Sequence, residues 1–589
     1  MTAMQNDPVL TQILWNRVIS VVDEAATGLI RTSFSSAVRD FHDFSCGLFD
    51  ERGSLLAHST KTTTAFIGVM PYVMRHFLDH FEAASLQPGD AMVTNDPWLG
   101  CGHTYDLCVA SPIFHKGRIS GYSICIIHHL DVGGRMATTE SKDMYEEGLR
   151  LPMVKLYSGG RFVPVVERII RANVREPDKM FGDLRAQLVA NSVCARGLVS
   201  MLDDYGLDAA SLCELSDEIS RRSELSLREK IRELPDGTYR NDVTLPTIGG
   251  VSGIRIKVAV TVQGDEIVVD YDGSSGEVAA AVNVTFNMTR SYSMYPIKLA
   301  LDPGIPNNEG SFRPVTVKAP ERSLLNCKPP APTWGRTMIC HNLPEIIFGA
   351  LASAIPDRVL AGSGATPLVF TYFRARRKDG RTYVGINSSM GGLGATARGD
   401  GPSCRGFPYN VGNIPIETVE NDLPVVYLRK ELLTDSGGPG KHRGGLGQEF
   451  EFEVADGDLA PVGPLVVSIR GSGRKPESPY PVFGRLGGGV GRGEGLTLNG
   501  VDLPHGPQQQ LKPGDRLRMA LPGGGGYGNP LERDEAAVAR DVRLGKVTVE
   551  AAFTDYGIVI GADGRVDSAA SVAERRRRLQ PAQPLAASR

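Results

Sequence analysis

The sequence predicts an α+β, multidomain protein: an N-terminal α+β part followed by a β-rich, glycine-dense C-terminal part. Three observations point there. Amphipathic helical stretches interleave with short strand-like runs over the first 235 residues, and residues 236–380 read mainly as alternating strands. Beyond about residue 380 glycine recurs in clusters such as Gly391-Gly392-Leu393-Gly394, Gly437-Gly438-Pro439-Gly440 and Gly523–Gly526. A chain of 589 residues is too long for one ordinary core. Divisions are expected at 1–235, 236–380, 381–535 and 536–589, the last a helical segment and tail.

Taken in order, Asp7 before Pro8 is a helix start, with Asp7 as cap and Pro8 at the first helical position. From Val9 to about Ile30, Leu10, Ile13, Leu14, Val18, Val21, Val22 and Ala25 fall on one apolar face. Cys46–Asp50 reads as a strand entering a turn at Glu51-Arg52-Gly53, and Met70–Ala84 as a second helix. Two apolar runs, Leu107–Phe114 and Ile119–His129, flank His115-Lys116-Gly117-Arg118 and predict a hairpin. Leu212–Leu234 has helical spacing, and Ile256–Val262 with Glu266–Tyr271 read as paired strands around Gln263-Gly264-Asp265. The glycine clusters are read as tight turns between strands, and Asp534–Leu579 regains helical character.

Composition excludes several classes. With 64 basic and 67 acidic residues the net charge is −3, so no basic surface for nucleic acid is expected. Nine cysteines, an odd number without a CxxC pair, predict neither a disulfide framework nor a zinc finger. No apolar run is long enough for a membrane span, and no signal peptide is evident. A soluble cytoplasmic protein with neither nucleic-acid nor membrane partners is expected. Gly440-Lys441 and Gly545-Lys546 are followed by His442 and Val547, so neither is a phosphate-binding P-loop.

Histidine marks the chemistry. Eight of the 11 histidines precede residue 130. His103 and Asp106 lie three apart in a loop loosened by Gly100 and Gly102, and imidazole nitrogen with carboxylate oxygen is a usual ligand pair for zinc, manganese or iron. The hairpin returns His128 beside Asp106, while strand alternation turns His129 to the opposite face. Asp131 is close enough to accept from an imidazole N–H. Asp40, His42 and Asp43 are further candidates, with a polar helix end as the competing reading. Cys101 is expected to be a wall residue rather than a nucleophile. Met136–Gly148, with its four acidic residues, is expected to be a solvated loop or a lid.

Several of these segments together resemble hydantoinase B. They are Asp40–Asp50, Asn95-Asp96-Pro97, Gly102-His103-x-x-Asp106, His128-x-x-Asp131-x-Gly133-Gly134, Glu147–Pro152 and Asn173-Val174-Arg175. Near the far end, Ser436–Gly440, Arg443–Gly447 and Pro522–Leu531 do so too. One departure is the sequence Asp40-Phe41-His42-Asp43, where the family commonly has Glu-Arg-x-Asp. The hydantoinase B/oxoprolinase resemblance implies the metal-binding catalytic subunit of an ATP-dependent amidohydrolase. A hydantoinase A-type ATPase partner would use ATP to activate a cyclic amide, and this chain would complete hydrolysis at a divalent metal. It implies Asp43, His103, Asp106 and His128 as metal ligands, Asp43 being favoured over Asp40. His129 and Asp131 are the expected catalytic supports, as orienters or proton carriers. The alternative reading is a subunit of an ATP-dependent ketone carboxylase of the acetone or acetophenone type, acting on a ketone.

Overall fold

The structure is a computed structural model and describes residues 7–367, 369–469, 473–503 and 508–579. Helix α1 (Pro8–Thr32) starts where Asp7 accepts from the Leu10 N–H at 2.8 Å and Pro8 needs no partner. Its buried stripe runs through Leu14, Trp15, Val18, Val21, Val22, Ala25 and Leu29. Ile13, expected on that stripe, is 46% exposed because the stripe is centred one residue further round the helix.

The first sheet is antiparallel throughout, built from β1 (Phe44–Asp50), β2 (Leu55–His58), β3 (Ala91–Thr94), β4 (Asp106–His115), β5 (Arg118–His128), β6 (Val154–Ser158) and β7 (Arg161–Phe162), in the order β2-β1-β5-β4-β3-β6-β7. The β4–β5 hairpin closes through Lys116 and Gly117, both at positive φ (49° and 83°), the geometry of a two-residue turn that follows the strand twist. Helix α2 (Thr64–His80) contains Pro71 and begins six residues before the expected Met70. Pro71 is the eighth residue of the helix, past its first turn, so it cannot donate to the Ile67 carbonyl one turn before it. After α3 (Pro164–Asn173) comes the long α4 (Pro177–Asp204), which packs with α1 over one face of the sheet. There Gln187 donates to the carbonyls of Leu107 and Cys125, and Asn191 to that of Val109. Helix α5 (Ala209–Arg232) is capped by Asp208.

A second sheet follows, of β8 (Gly237–Thr244), β9 (Arg255–Gln263), β10 (Glu266–Asp270) and β11 (Val315–Lys318). β9 alternates buried and open residues and β8 half-buried and exposed ones, as the period-two pattern requires. Helix α6 (Phe286–Leu301) crosses between β10 and β11 and lies on α2 at Gly68, whose missing side chain admits Ser291.

Two further sheets share the C-terminal half: β12 (Val369–Arg376), β13 (Thr382–Ser389), β14 (Val425–Leu432), β15 (Gln448–Val454), β16 (Val462–Ile469), β17 (Gly495–Leu498), β18 (Val501–Asp502), β19 (Gln509–Leu511) and β20 (Arg516–Ala520). They pair as β13-β12-β16-β19 and β14-β15-β20-β17-β18. The β12–β13 hairpin turns at residues 377–381, across the expected division near 380. Helices over Glu535–Arg543, Val549–Tyr556 and Ser568–Leu579 close the described chain; the tail expected at 580–589 lies outside the described residues. No helix among the described residues is long and apolar enough to cross a membrane.

The glycine clusters are not the turns that their composition suggests. Gly523 to Gly526 run extended, without positive φ, and donate in succession to the carbonyls of Arg492, Gly445, Gly362 and Gly489. Three separate segments thus pack on one peptide ribbon at backbone contact. A Cβ on Gly524 would stand 2.0 Å from the Leu393 carbonyl oxygen, so absence of a side chain, rather than left-handed conformation, is what selects glycine there. Gly524→Ala is expected to destabilise the protein by about 3 kcal/mol. Gly304→Ala, at a site with nothing within 4 Å, is its neutral control. Calorimetric melting of both checks this; equal midpoints would refute backbone-contact packing.

Candidate metal centre

Three neighbouring strands bring their ends together at one point. Asp43 immediately precedes β1, Asp106 opens β4 and His128 ends β5, with Asp106 and His128 directly opposite in the ladder. The backbone N–H of His128 donates to the Asp43 carbonyl at 3.1 Å. The loop before β4 supplies His103. Asn95 shapes that loop by donating to the Thr104 and Leu149 carbonyls and accepting from the Leu151 N–H. Asp96 caps its first turn by accepting from Trp98 N–H at 2.9 Å.

His103, Asp106 and His128 form a group of potential metal ligands whose donor atoms all lie within 4.8 Å of one another. His103 Nε2 is 2.8 Å from Asp106 Oδ1, and His128 Nδ1 is 3.0 Å from the same oxygen. Among the described residues neither ring nitrogen of His103 has a partner in good hydrogen-bond geometry, although the residue is only 3% exposed. A buried imidazole held against a carboxylate without an aligned N–H bond fits a shared cation better than a hydrogen-bonded pair, since unpaired buried polar groups each cost about 1–3 kcal/mol. Burial and the Arg336 guanidinium push the His103 imidazole down to about 3, leaving it neutral and able to ligate. Against the cost of burial, His103 and Arg336 hold the Asp106 carboxyl far below the usual carboxylate range.

The surrounding shell was not legible in residue spacing. Arg336, fully buried, donates from Nη2 to Asp106 Oδ2 at 2.8 Å and so fixes the oxygen that faces away from the histidines. Gly102 makes room for it: at φ 82°, a Cβ there would meet Arg336 Cδ and Nε at 2.8 Å and Met288 at 2.4 Å. Glu147 anchors the segment before Arg336, accepting from the N–H groups of Thr333 (2.7 Å) and Trp334 (2.9 Å). Burial pushes its carboxyl up to about 7. The Tyr372 hydroxyl lies 3.2 Å from His128 Nε2.

Asp43 stands next to the trio rather than in it. The Tyr409 hydroxyl donates to both its oxygens, at 3.1 and 3.3 Å, and burial, with the nearby Asp106 charge, raises its carboxyl to about 7 in spite of His128. Asp40 instead pairs with Arg39 at 2.8 Å. A surface cavity of about 300 Å³, lined by Phe407, Pro408, Asn410 and Gly412 among others, lies beside this point. Tyr409, between two of those residues, turns inward to Asp43.

The other candidates fall outside the cluster. His129 points to the opposite face of the sheet, against Asp183 and Gln187 of α4, and burial pushes it down to about 4. Asp131 accepts from the Gly133 N–H at 3.1 Å and from the Arg175 backbone and guanidinium, which pins the turn after β5. Cys101 is buried 3.6 Å from Cys108, and burial together with that neighbour raises its thiol well above the usual value, which removes nucleophilic character. The 136–148 segment is packed on one side only: Met136, Thr139, Met144 and Glu147 are buried, while Glu140, Lys142 and Tyr145 stay exposed. Asp131→Asn is therefore expected to cost about 2 kcal/mol of stability while leaving metal content unchanged. Melting and elemental analysis of the same preparation check it, and loss of metal without loss of stability would contradict it.

Comparison with known proteins gives the family and the fold. Caprolactamase subunit beta of Pseudomonas jessenii is 31% identical, covering 97% of this chain and 99% of its own length. The 5-oxoprolinase of Saccharomyces cerevisiae is 27% identical over 89% of this chain but only 42% of its own length. The crystal structure of the ATP-dependent caprolactamase from P. jessenii superposes with a TM-score of 0.86 at 29% identity, covering 97% of this chain and 99% of that one. A nucleotide-free acetone carboxylase structure shares the fold, with a TM-score of 0.86 at 19% identity over 98% of this chain and 83% of that one. The hydantoinase B/oxoprolinase profile matches residues 7–530. The chain belongs to the hydantoinase B/oxoprolinase family.

Proposed function

We propose that this chain is the metal-binding subunit of an ATP-dependent cyclic-amide hydrolase and works with a hydantoinase A-type ATPase. The observation that carries this reading is the buried convergence of His103, Asp106 and His128, two imidazoles on one carboxylate oxygen. The relatives support the rest. One is named as a caprolactamase subunit, and in the yeast 5-oxoprolinase the matching region is about two fifths of a longer polypeptide.

The chemistry follows from amide reactivity. An unstrained amide is a poor electrophile, so its oxygen is first phosphorylated at the expense of ATP on the partner. Water then adds at the activated carbon, the ring C–N bond breaks as nitrogen takes up a proton, and a second water releases phosphate from the resulting acyl phosphate. A divalent cation such as zinc, manganese or iron would polarise the electrophile and lower the pKa of bound water to roughly 7. His103, Asp106 and His128 would hold it, with Asp43 as a fourth ligand. Arg336 keeps Asp106 anionic and in register, and Tyr372 fixes the ring of His128. His129 and Asp131 act as positioning residues, holding the strand end and the turn behind His128. The burial of the cluster keeps bulk water from the activated amide.

Elemental analysis tests the metal: His103→Ala should retain less than about a tenth of the wild-type content, and equal content would sink the reading. Asp43 supplies a second check. With its carboxyl near 7 in the metal-free protein, cation binding at pH 6 must displace a proton. Apparent affinity should therefore rise with pH and level off above about 7, a dependence that Asp43→Asn abolishes. Assay of the reconstituted pair with ATP against hydantoins, 5-oxoproline, lactams and ketones, with and without bicarbonate, identifies the reaction. Turnover of ketones alone, and only with bicarbonate, would replace hydrolysis by carboxylation.

A further inference from the structure

Arg336 uses only part of its guanidinium. Nη2 is committed to Asp106, but Nε and Nη1, both buried, have no hydrogen-bond partner among the described residues. A second donor beside it is in the same state: the Tyr292 hydroxyl is buried and unpartnered, and its residue is 1% exposed. The two are close enough to interact electrostatically. Helix geometry explains why they meet. Met288, one turn before Tyr292 on α6, packs over Gly102, and the missing side chain of Gly102 is also what admits Arg336.

These unpaired groups can all donate, the phenol being able to accept as well, and one of them is a cation. Nε and Nη1 lie on opposite sides of the guanidinium, and each shares an edge with Nη2. Because Nη2 carries a second N–H beyond the one given to Asp106, one of these edges still offers two N–H groups to two oxygens on one phosphorus or carbon, and the phenol adds an O–H. The ligand they call for is an acceptor-only anion. With a divalent cation bound, Asp106 and Asp43 offset its two charges and the Arg336 charge is left over, which a neutral amide oxygen would not answer. Carboxylates already present do not reach: Asp106 is taken by Nη2, and Asp43 is held by Tyr409.

We propose that Arg336 and Tyr292 form an oxyanion pocket, beside the trio of ligands, that receives the phosphoryl oxygens of the activated amide and of the acyl phosphate that follows. This rests on the hydrolase reading given above and adds a binding role for residues that do not touch the cation. Arg336 then does two things at once: one arm orients Asp106 and the free edge holds the group that leaves. Trp334-Gly335-Arg336, anchored by Glu147, becomes the element that links metal geometry to recognition of the phosphorylated substrate.

Calorimetric titration of the metal-loaded full chain with inorganic phosphate tests this without the ATPase. Tyr292→Phe, which removes one hydroxyl, should weaken phosphate binding about tenfold, and Arg336→Lys, which keeps the charge but loses the planar edge, about a hundredfold. Metal content of Tyr292→Phe, measured on the same samples, should equal that of wild type. Wild-type phosphate affinity in both variants overturns the proposal, as does loss of phosphate binding only in step with loss of metal in both. Absence of phosphate binding to the wild-type protein overturns it too. Because amide hydrolysis is assayed separately with the partner present, an inactive pair whose variants still lose phosphate affinity refutes the hydrolase and not the pocket. An active pair with unchanged phosphate affinity in both variants does the reverse.

Discussion

The buried ion pair between Asp106 and Arg336 joins residues 230 positions apart and gives the centre its geometry. Both side chains are fully buried, so each charge depends on the other; losing one partner of such a pair costs about 3–5 kcal/mol. The pair is directional as well. It occupies one oxygen of Asp106 and leaves the other to face two imidazoles. Everything around it serves to bring Arg336 to that oxygen: Gly102 clears its path, Glu147 tethers the two residues before Gly335, and α6 walls the far side. The proposed metal site is therefore a property of the contact between the first sheet and a remote segment, and not of the His-x-x-Asp loop alone.

The sheet contributes the remaining precision. Placing Asp43, His128 and Asp106 at the ends of adjacent strands means that their separations are set by ladder spacing, which backbone hydrogen bonds hold to a fraction of an ångström. Loops could not do this as well. A one-residue slip of β5 against β4 would exchange His128 for His129, pointing the wrong imidazole inward. The side chains of Gln187 and Asn191, bonded to carbonyls of β4 and β5 from α4, oppose such a slip.

How much of this could be read beforehand depended on range. The hairpin that carries Asp106 and His128 was legible because a Lys-Gly turn between apolar runs is a local signal, and period-two alternation separated His128 from His129. Asp7-Pro8 marked the first helix for the same reason. Arg336, Tyr372, Tyr409 and Tyr292 left no trace in spacing, since each reaches the cluster through tertiary contact from an unrelated segment. The glycine runs were misread for a different cause. Glycine is common both in turns and at close backbone approach, and only the positions of the opposing carbonyls distinguish the two. The acidic segment around Glu147 looked solvated from its charge, yet backbone N–H groups of residues 333 and 334 hold that carboxyl in the interior.

The glycine ribbon at residues 523–526 carries a consequence of a genetic kind. At most positions in a protein a conservative exchange exists, but glycine has no smaller neighbour, and every missense change there adds atoms where carbonyl oxygens already stand about 2 Å from the would-be Cβ. The peptide segments it touches at Leu393, Pro439 and Ser436 are under no such restriction, because their backbones rather than their side chains make the contact. Selection on this region acts on the codon for glycine itself while leaving partner side chains free to drift. In a population of variants, the tolerated and forbidden sites of this domain would alternate by backbone contact and not by hydrophobicity.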